Sequence, residues 1–260
     1  MTPSPRLRFR DRDDVSGRAV LVTGGTKGLG RGLASAFVAA GADVLVCART
    51  PPEEGSDGVT FVAADLRDPV QASAVVDATV ERFGRLDVVV NNAGGSPEAE
   101  AATVSARFVE KIVALNLLAP FYVAQAANAV MQQQDGGGVI VNIGSLSGHR
   151  PSPGTAAYGA AKAGLANLTR SLAMEWAPKV RVNAVTVGYL ETPDGLTHYG
   201  GAEGAAAVGR RVPMGRLVQP ADVAEACLWL ASPAAAFVTG ADIAVDGGGE
   251  PPTFLTTRQG

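Results

Sequence analysis

The stretch "RAVLVTGGTKGLGRGLASAFVAAG", residues 18–41, decides the fold. After Arg18, residues 19–23 are a continuous run rich in β-branched side chains and predict a strand. Glycines then crowd the turn at Gly24, Gly28 and Gly30, and "GLASAFVAAG" resumes with helical spacing of its apolar residues. A strand that passes through a glycine turn into a helix is the opening of a βαβ unit. The turn lets backbone approach a pyrophosphate closely, and the helix N-terminus presents its unpaired N–H groups to it.

Outward from this unit the same alternation continues. "DVLVCA", "VTFVAA", "LDVVVNNAG", "GGVIVNIGS", "VRVNAVTVG" and "ADIAVDGGG" predict strands. "VQASAVVDATVERFG", "TAAYGAAKAGLANLTRSLAMEWA" and "PADVAEACLWLAS" predict helices, and the long run "SARFVEKIVALNLLAPFYVAQAANAVMQQ" predicts one helix, or two broken near Pro120. Strands that are apolar on both faces and alternate with helices predict a parallel sheet covered on both sides. The expected architecture is α/β: a single-domain, doubly wound parallel sheet over residues 15–250. A flexible N-terminal arm, residues 1–14, precedes it and a tail, residues 251–260, follows.

The formal net charge of −3 gives no general attraction to nucleic acid or to an anionic membrane. Cys47 and Cys227 both lie in apolar runs and read as buried free thiols. The first residues carry no apolar signal region and no apolar run reads as long enough to span a bilayer, so a cytoplasmic protein without membrane or nucleic-acid partners is expected. No spacing of ligand residues points to a metal.

Three constellations carry chemistry. The second strand ends "CART", where NAD-binding sheets place a carboxylate for the ribose hydroxyls. Here stand Ala48 and Arg49, and Lys27 lies in the glycine turn nearby, so two cations favour a 2′-phosphate and thus NADP(H), with NAD(H) open. "VIVNIGSLSG" puts Ser145 at the carboxyl edge of a strand, where ligands bind. Tyr158 and Lys162 share a helix face at i and i+4. A phenol with a pKa near 10 is too weak a base at neutral pH. An ammonium ~4 Å away contributes roughly 4 kcal/mol at an effective dielectric of ~20, enough to bring the phenol toward working range. Asn116, an amide in the apolar run "IVALNLLAP", is placed to hold a water linking Lys162 to solvent.

The chain resembles the classical short-chain dehydrogenase/reductase family, 3-oxoacyl reductases among them, from about Ser16 to Gly249. "TGGTKGLG", Asp65 in "AADL", "NNAG" at residues 91–94, Asn116, Ser145, "YGAAK" and "TGADIAVDGG" carry the resemblance. It implies a Rossmann-type sheet with Tyr158 as acid/base, Lys162 tuning the phenol and holding the ribose, Ser145 positioning the substrate oxygen, and Asn116 holding a relay water. It further implies cofactor contacts from Gly24, Thr26, Lys27, Gly28, Leu29, Gly30 and Arg49, from Asp65 and Leu66 at the adenine, and from Asn91, Ala93 and Gly94 beneath the ribose. Gly188, Leu190 and Thr192 would close over the nicotinamide. Asn91 reads equally well as a strand-end cap. A homotetramer or dimer also follows from the resemblance.

One departure stands out: "TVGYLET" carries Val187 where the family has proline. The following residues, about 188–215, read as an irregular substrate lid lined by Tyr189, Leu190, His198 and Tyr199. His149 and His198 read as non-catalytic, and Arg150, Arg210 and Arg211 as exposed charges rather than anion anchors. In the tail, Phe254 and Leu255 are odd for a solvated segment and suggest packing on a neighbouring subunit. The expected reaction is interconversion of a ketone and a secondary alcohol on a small, apolar-leaning substrate, such as an oxoacyl chain, a steroid or a terpenoid-like ketone. An NAD(H)-dependent alcohol dehydrogenase and a non-catalytic dinucleotide-binding sensor or scaffold are the alternatives.

Overall fold

The computed structural model describes residues 15–52 and 58–251; the expectations for the arm and for Phe254 and Leu255 lie outside them. Among the described residues, β1 (Ala19–Thr23), β2 (Asp43–Ala48), β3 (Val59–Ala63), β4 (Val88–Asn91), β5 (Gly138–Ile143), β6 (Val180–Val187) and β7 (Asp242–Val245) form one sheet. Its order is β3-β2-β1-β4-β5-β6-β7, and every pairing is parallel. Crossovers to either side of β1 put helices on both faces, as the right-handed preference of such connections requires, so the expected doubly wound, Rossmann-like sheet is what forms.

Alternation along the strands sorts the core into two layers. Val20 and Val22 of β1, with Val44, Val46, Val88 and Val90, pack against α1 (Gly28–Ala39) and α8 (Pro220–Ala231) through Leu33, Phe37, Val223 and Leu230. Leu21, Leu45, Val89 and Ile140 face the other way, toward α2 (Pro69–Phe83), α4 (Ala119–Met131) and α5 (Ala156–Trp176), through Val75, Val123 and Leu172. Each large side chain buried this way is worth roughly 1.5–3 kcal/mol relative to exposure. Cys47 and Cys227 are buried free thiols in these layers, as expected.

Two elements differ from their sequence reading. The long run does not break at Pro120. α3 (Ala106–Val113) passes into a wide π turn (Ala114–Leu118), which continues into α4, with the Ala119 N–H donating to the Ala114 carbonyl. Pro120 has no N–H for the Asn116 carbonyl four residues back, and its ring would crowd that oxygen; the extra residue in the turn absorbs both problems. The combined helix Ala106–Met131 is, by length and a mean hydropathy of 1.4, comparable to a membrane span, contrary to expectation. It is a core helix here, burying Val123, Ala124, Ala127 and Met131 against the sheet. The lid is likewise not irregular: α6 (Pro193–His198) and α7 (Gly201–Gly209) form within it. Thr192 caps the first, accepting from the Gly195 N–H at 3.1 Å. β6 runs on through Val187, which pairs with Val245, so valine keeps the extended path that a proline would impose.

Candidate active site

The sheet order reverses between β1 and β4, and the carboxyl ends of these strands are stitched together there. Thr23 Oγ1 accepts from the backbone N–H groups of Asn92 and Ala93, each at 3.0 Å. Asn92 Nδ2 donates to the carbonyls of Thr23 at 2.9 Å and Gly24 at 3.2 Å. α1 starts above this junction. A Cβ on Gly30 would stand 2.1 Å from the Gly24 oxygen and 2.4 Å from Asn92 Nδ2, so only glycine lets the helix begin this close to the turn. The result is a groove of about 580 Å³ whose walls include Lys27, Arg49, Asp65, Ala93 and Thr192. A glycine cradle under a helix N-terminus, an apolar floor and cations at the far end fit a dinucleotide.

Most of the residues expected at the cofactor do line this groove: Gly24, Thr26, Lys27, Gly28, Leu29, Gly30, Arg49, Asp65, Leu66, Ala93, Gly94, Leu190 and Thr192. Two do not. Asn91 is buried and turns the opposite way along the alternating strand, where its Nδ2 donates to Asn142 Oδ1 at 2.9 Å and to the Pro120 carbonyl at 3.2 Å. Gly188 packs on the segment after β7, where a Cβ would come within 2.8 Å of Asp246 Cα. Asn92 and Arg67 were missed. Asn92 sits at the strand end one residue past Asn91, and the period-two alternation of β4 could have found it. Arg67 forks onto the Asp65 carboxylate, with Nε at 2.8 Å from Oδ1, and holds that carboxyl below the usual aspartate range.

The catalytic candidates converge beside Gly94, on the groove wall. A Cβ on Gly94 would lie 2.7 Å from Asn116 Oδ1 and 3.4 Å from Lys162 Nζ. Ser145, two residues past the end of β5, caps the short turn Leu146–Gly148, its Oγ accepting from the Ser147 N–H at 3.2 Å. That turn rests directly on α5, because a Cβ on Gly159 would meet the Ser147 carbonyl at 2.8 Å. The small residues around Tyr158 and Lys162 thus serve close approach. Beneath them, Asn142 Nδ2 donates to Thr169 Oγ1 at 2.9 Å, tying β5 to α5 and, through Asn91, to β4.

Lys162 is buried, donates to the Ile143 carbonyl at 2.7 Å, and has its Nζ 5.7 Å from the centre of the Tyr158 ring. Burial lowers its pKa to about 8. Burial also pushes the Tyr158 phenol up, and the Ser145 hydroxyl works against that rise. This corrects the expectation of an ammonium dominating the phenol at ~4 Å: desolvation is the larger influence on both groups. Asn116 is a second correction. Its side chain is fully engaged with backbone, Oδ1 accepting from the Gly95 N–H at 2.8 Å and Nδ2 donating to the Gly95 and Ile112 carbonyls at 3.0 and 2.9 Å.

A family model described as enoyl-(acyl carrier protein) reductase matches residues 24–250, the span that contains both the groove and the Ser-Tyr-Lys cluster. The chain belongs to the classical short-chain dehydrogenase/reductase family. Similar proteins include 3beta-hydroxysteroid dehydrogenase 1 of Eggerthella lenta, 36% identical over 91% of this chain and 95% of its own length. The NADP-dependent (R)-specific alcohol dehydrogenase of Lentilactobacillus kefiri is 34% identical over 91% of this chain and 98% of its own. Among solved structures, ligand-free aldohexose dehydrogenase of Thermoplasma acidophilum aligns with a TM-score of 0.85 at 30% identity, covering 91% and 95% of the two chains. This short-chain dehydrogenase/reductase is accordingly an oxidoreductase of a family that works with nicotinamide cofactors.

Proposed function

We propose that the protein interconverts a ketone and a secondary alcohol with NADP(H). The convergence of Ser145, Tyr158 and Lys162 beside the groove at Gly94 carries this reading. When bound, the nicotinamide supplies or accepts the hydride at the substrate carbon. In the reductive direction Ser145 donates a hydrogen bond to the carbonyl oxygen as its π electrons move onto it. The Tyr158 O–H then gives its proton to the developing alkoxide, and the nearby Lys162 ammonium favours the phenolate that remains. Positioned acid–base help of this kind is worth roughly 10²–10⁴-fold, and the hydrogen bonds to the oxyanion add to it.

Preference for NADP(H) rests on the far end of the groove. Ala48 and Arg49 stand where a ribose-binding carboxylate would be, and Lys27, the N-cap residue of α1, lines the same space. The Asp65 carboxylate is already committed to Arg67. Self-assembly into a dimer or tetramer belongs to the same reading: Met174 on α5 is 85% exposed and Leu118 beside α4 is 37% exposed, which leaves apolar surface on adjoining helices. Sedimentation of the protein checks that part.

The deciding experiment is oxidation of NADPH against NADH with a panel of ketones, with Tyr158→Phe as the blank. Turnover with NADPH that falls at least ~10²-fold in Tyr158→Phe supports the reading. Turnover with NADH alone overturns the cofactor preference and leaves the chemistry standing.

A further inference from the structure

Arg150 carries more than an exposed surface charge would. It follows Ser145 by little more than one turn, its N–H donating to the Leu146 carbonyl at 3.2 Å. Its guanidinium draws together the loops beyond three neighbouring strands at the carboxyl edge of the sheet. Nη1 donates to the adjoining Pro151 carbonyl at 3.0 Å. Nη2 donates to the Tyr189 hydroxyl, just past β6, at 3.1 Å, and pairs with Glu250 Oε1, just past β7, at 3.0 Å. Cζ lies 6.0 Å from the centre of the Tyr189 ring, and Tyr189 in turn meets Tyr199 of the lid edge-on at 6.1 Å. A cation therefore stands in an aromatic wall between the Ser145 turn and the lid.

Its hydrogen bonding is incomplete. Nε is buried and has no acceptor among the described residues. Nε and Nη2 share one edge of the guanidinium plane, the edge that matches the two oxygens of a carboxylate. Glu250 takes only the Nη2 corner, and its side chain is 41% exposed. A buried donor without an acceptor costs free energy that a partner would recover. The neighbouring His149 is not a rival for an anion, because its Nε2 is 3.1 Å from Asp242 Oδ2 and 3.0 Å from Thr186 Oγ1. Lys27, Arg49 and Arg67 belong to the groove beyond β1 and β2, away from this corner.

We propose that Arg150 recognises a carboxylate on the substrate: the ligand's two oxygens take the Nε–Nη2 edge, Glu250 is displaced, and the reacting carbonyl lies against Ser145 and Tyr158. The substrate class is then an oxo- or hydroxy-acid with an apolar body between its two polar ends. This rests on the ketone/alcohol reading for the reacting end only.

The test is calorimetric titration of the NADP⁺-loaded protein with a series of methyl-ketone acids of increasing chain length, each beside its methyl ester. At least one acid is expected to bind about ten-fold tighter than its ester, the gain of one charge-assisted pair. Arg150→Met should erase that difference and leave ester binding in place, Arg150→Lys should keep part of it, and Glu250→Gln should tighten the acid several-fold. Equal binding of acid and ester by the unaltered protein overturns the proposal. So does an equal loss for both in Arg150→Met, or a Glu250→Gln variant that only lowers the melting temperature; each would mark a structural latch. If Arg150→Met does not fold, Arg150→Lys and Glu250→Gln decide. Turnover is read separately: acid preference in binding without consumption of NADPH on any ketone would sink the proposed reaction and leave the carboxylate assignment standing.

Discussion

Lys162 holds its proton at a cost, and that cost has a pH signature. Burial lowers its folded pKa from 10.5 to about 8. Below about 8 both folded and unfolded chains carry the charge, and the full penalty weighs on the fold. Between about 8 and 10.5 the unfolded chain still binds a proton that the folded chain has released, so this residue makes stability rise with pH across that window, by ~3 kcal/mol in all. The thiols act in the opposite sense: burial raises Cys47 and Cys227 to about 12, so their contribution is lost as pH climbs above 9. Comparing Lys162→Met with the unaltered cofactor-free protein cancels the thiols. Denaturant titrations should show the variant's stability advantage shrinking by ~3 kcal/mol from pH 7 to pH 10.5; an advantage that stays constant would mean that Lys162 is not desolvated. The same burial should keep both thiols unreactive toward a disulfide reagent until the protein unfolds, read as two thiols appearing together with loss of helical signal.

At the scale of elements, the close contacts are where substitution should bite. Gly30→Ala forces a Cβ against the Gly24 carbonyl and the Asn92 amide, so α1 must move off the turn. A loss of 1–3 kcal/mol, about the usual overpacking range, is expected in chemical unfolding, together with weaker dinucleotide binding by calorimetry. The N-terminus of α2 offers a milder case. Asp68 accepts from the Val70 N–H at 2.9 Å ahead of Pro69, and Asp68→Ala should cost ~1 kcal/mol with no change in cofactor affinity. Loss of affinity there would mean that the cap also shapes the Asp65–Arg67 turn beside it.

Across the whole molecule, the two apolar layers on either side of the sheet set global stability. Phe37 is fully buried where α1 meets β1 and α8. Phe37→Ala should cost ~3–5 kcal/mol in a reversible melt, a drop large enough to compete with the total stability of a domain. Because the layer it empties lies under the glycine turn, dinucleotide binding should weaken in step. Intact binding at the lowered stability would show that the turn is held mainly by the Thr23–Asn92 stitching.

Strand and helix periods in this chain are strong enough to determine the sheet, its two covered faces and the glycine turn, because each depends on residues within a few positions of one another. The i, i+4 pairing of Tyr158 with Lys162 and the placing of Ser145 at a strand end are local in the same sense. Asn91 and Asn92 show where that reasoning stops. Both are asparagines at one strand end; alternation sends them to opposite faces, and only the packing around β4 decides which face is core and which is groove. Asn116 and Lys162 show it again. Residue type and resemblance singled them out, yet neither could tell that backbone carbonyls and N–H groups occupy the Asn116 amide, or that desolvation rather than Coulomb attraction dominates the titration. The Arg67–Asp65 fork is local but rests on the shape of one turn, which residue type did not announce. The meeting of Arg150 with Tyr189 and Glu250 joins strands distant in sequence. Tertiary structure alone decided it, because the distance between charges and the water left around them are properties of the packed molecule and not of any segment.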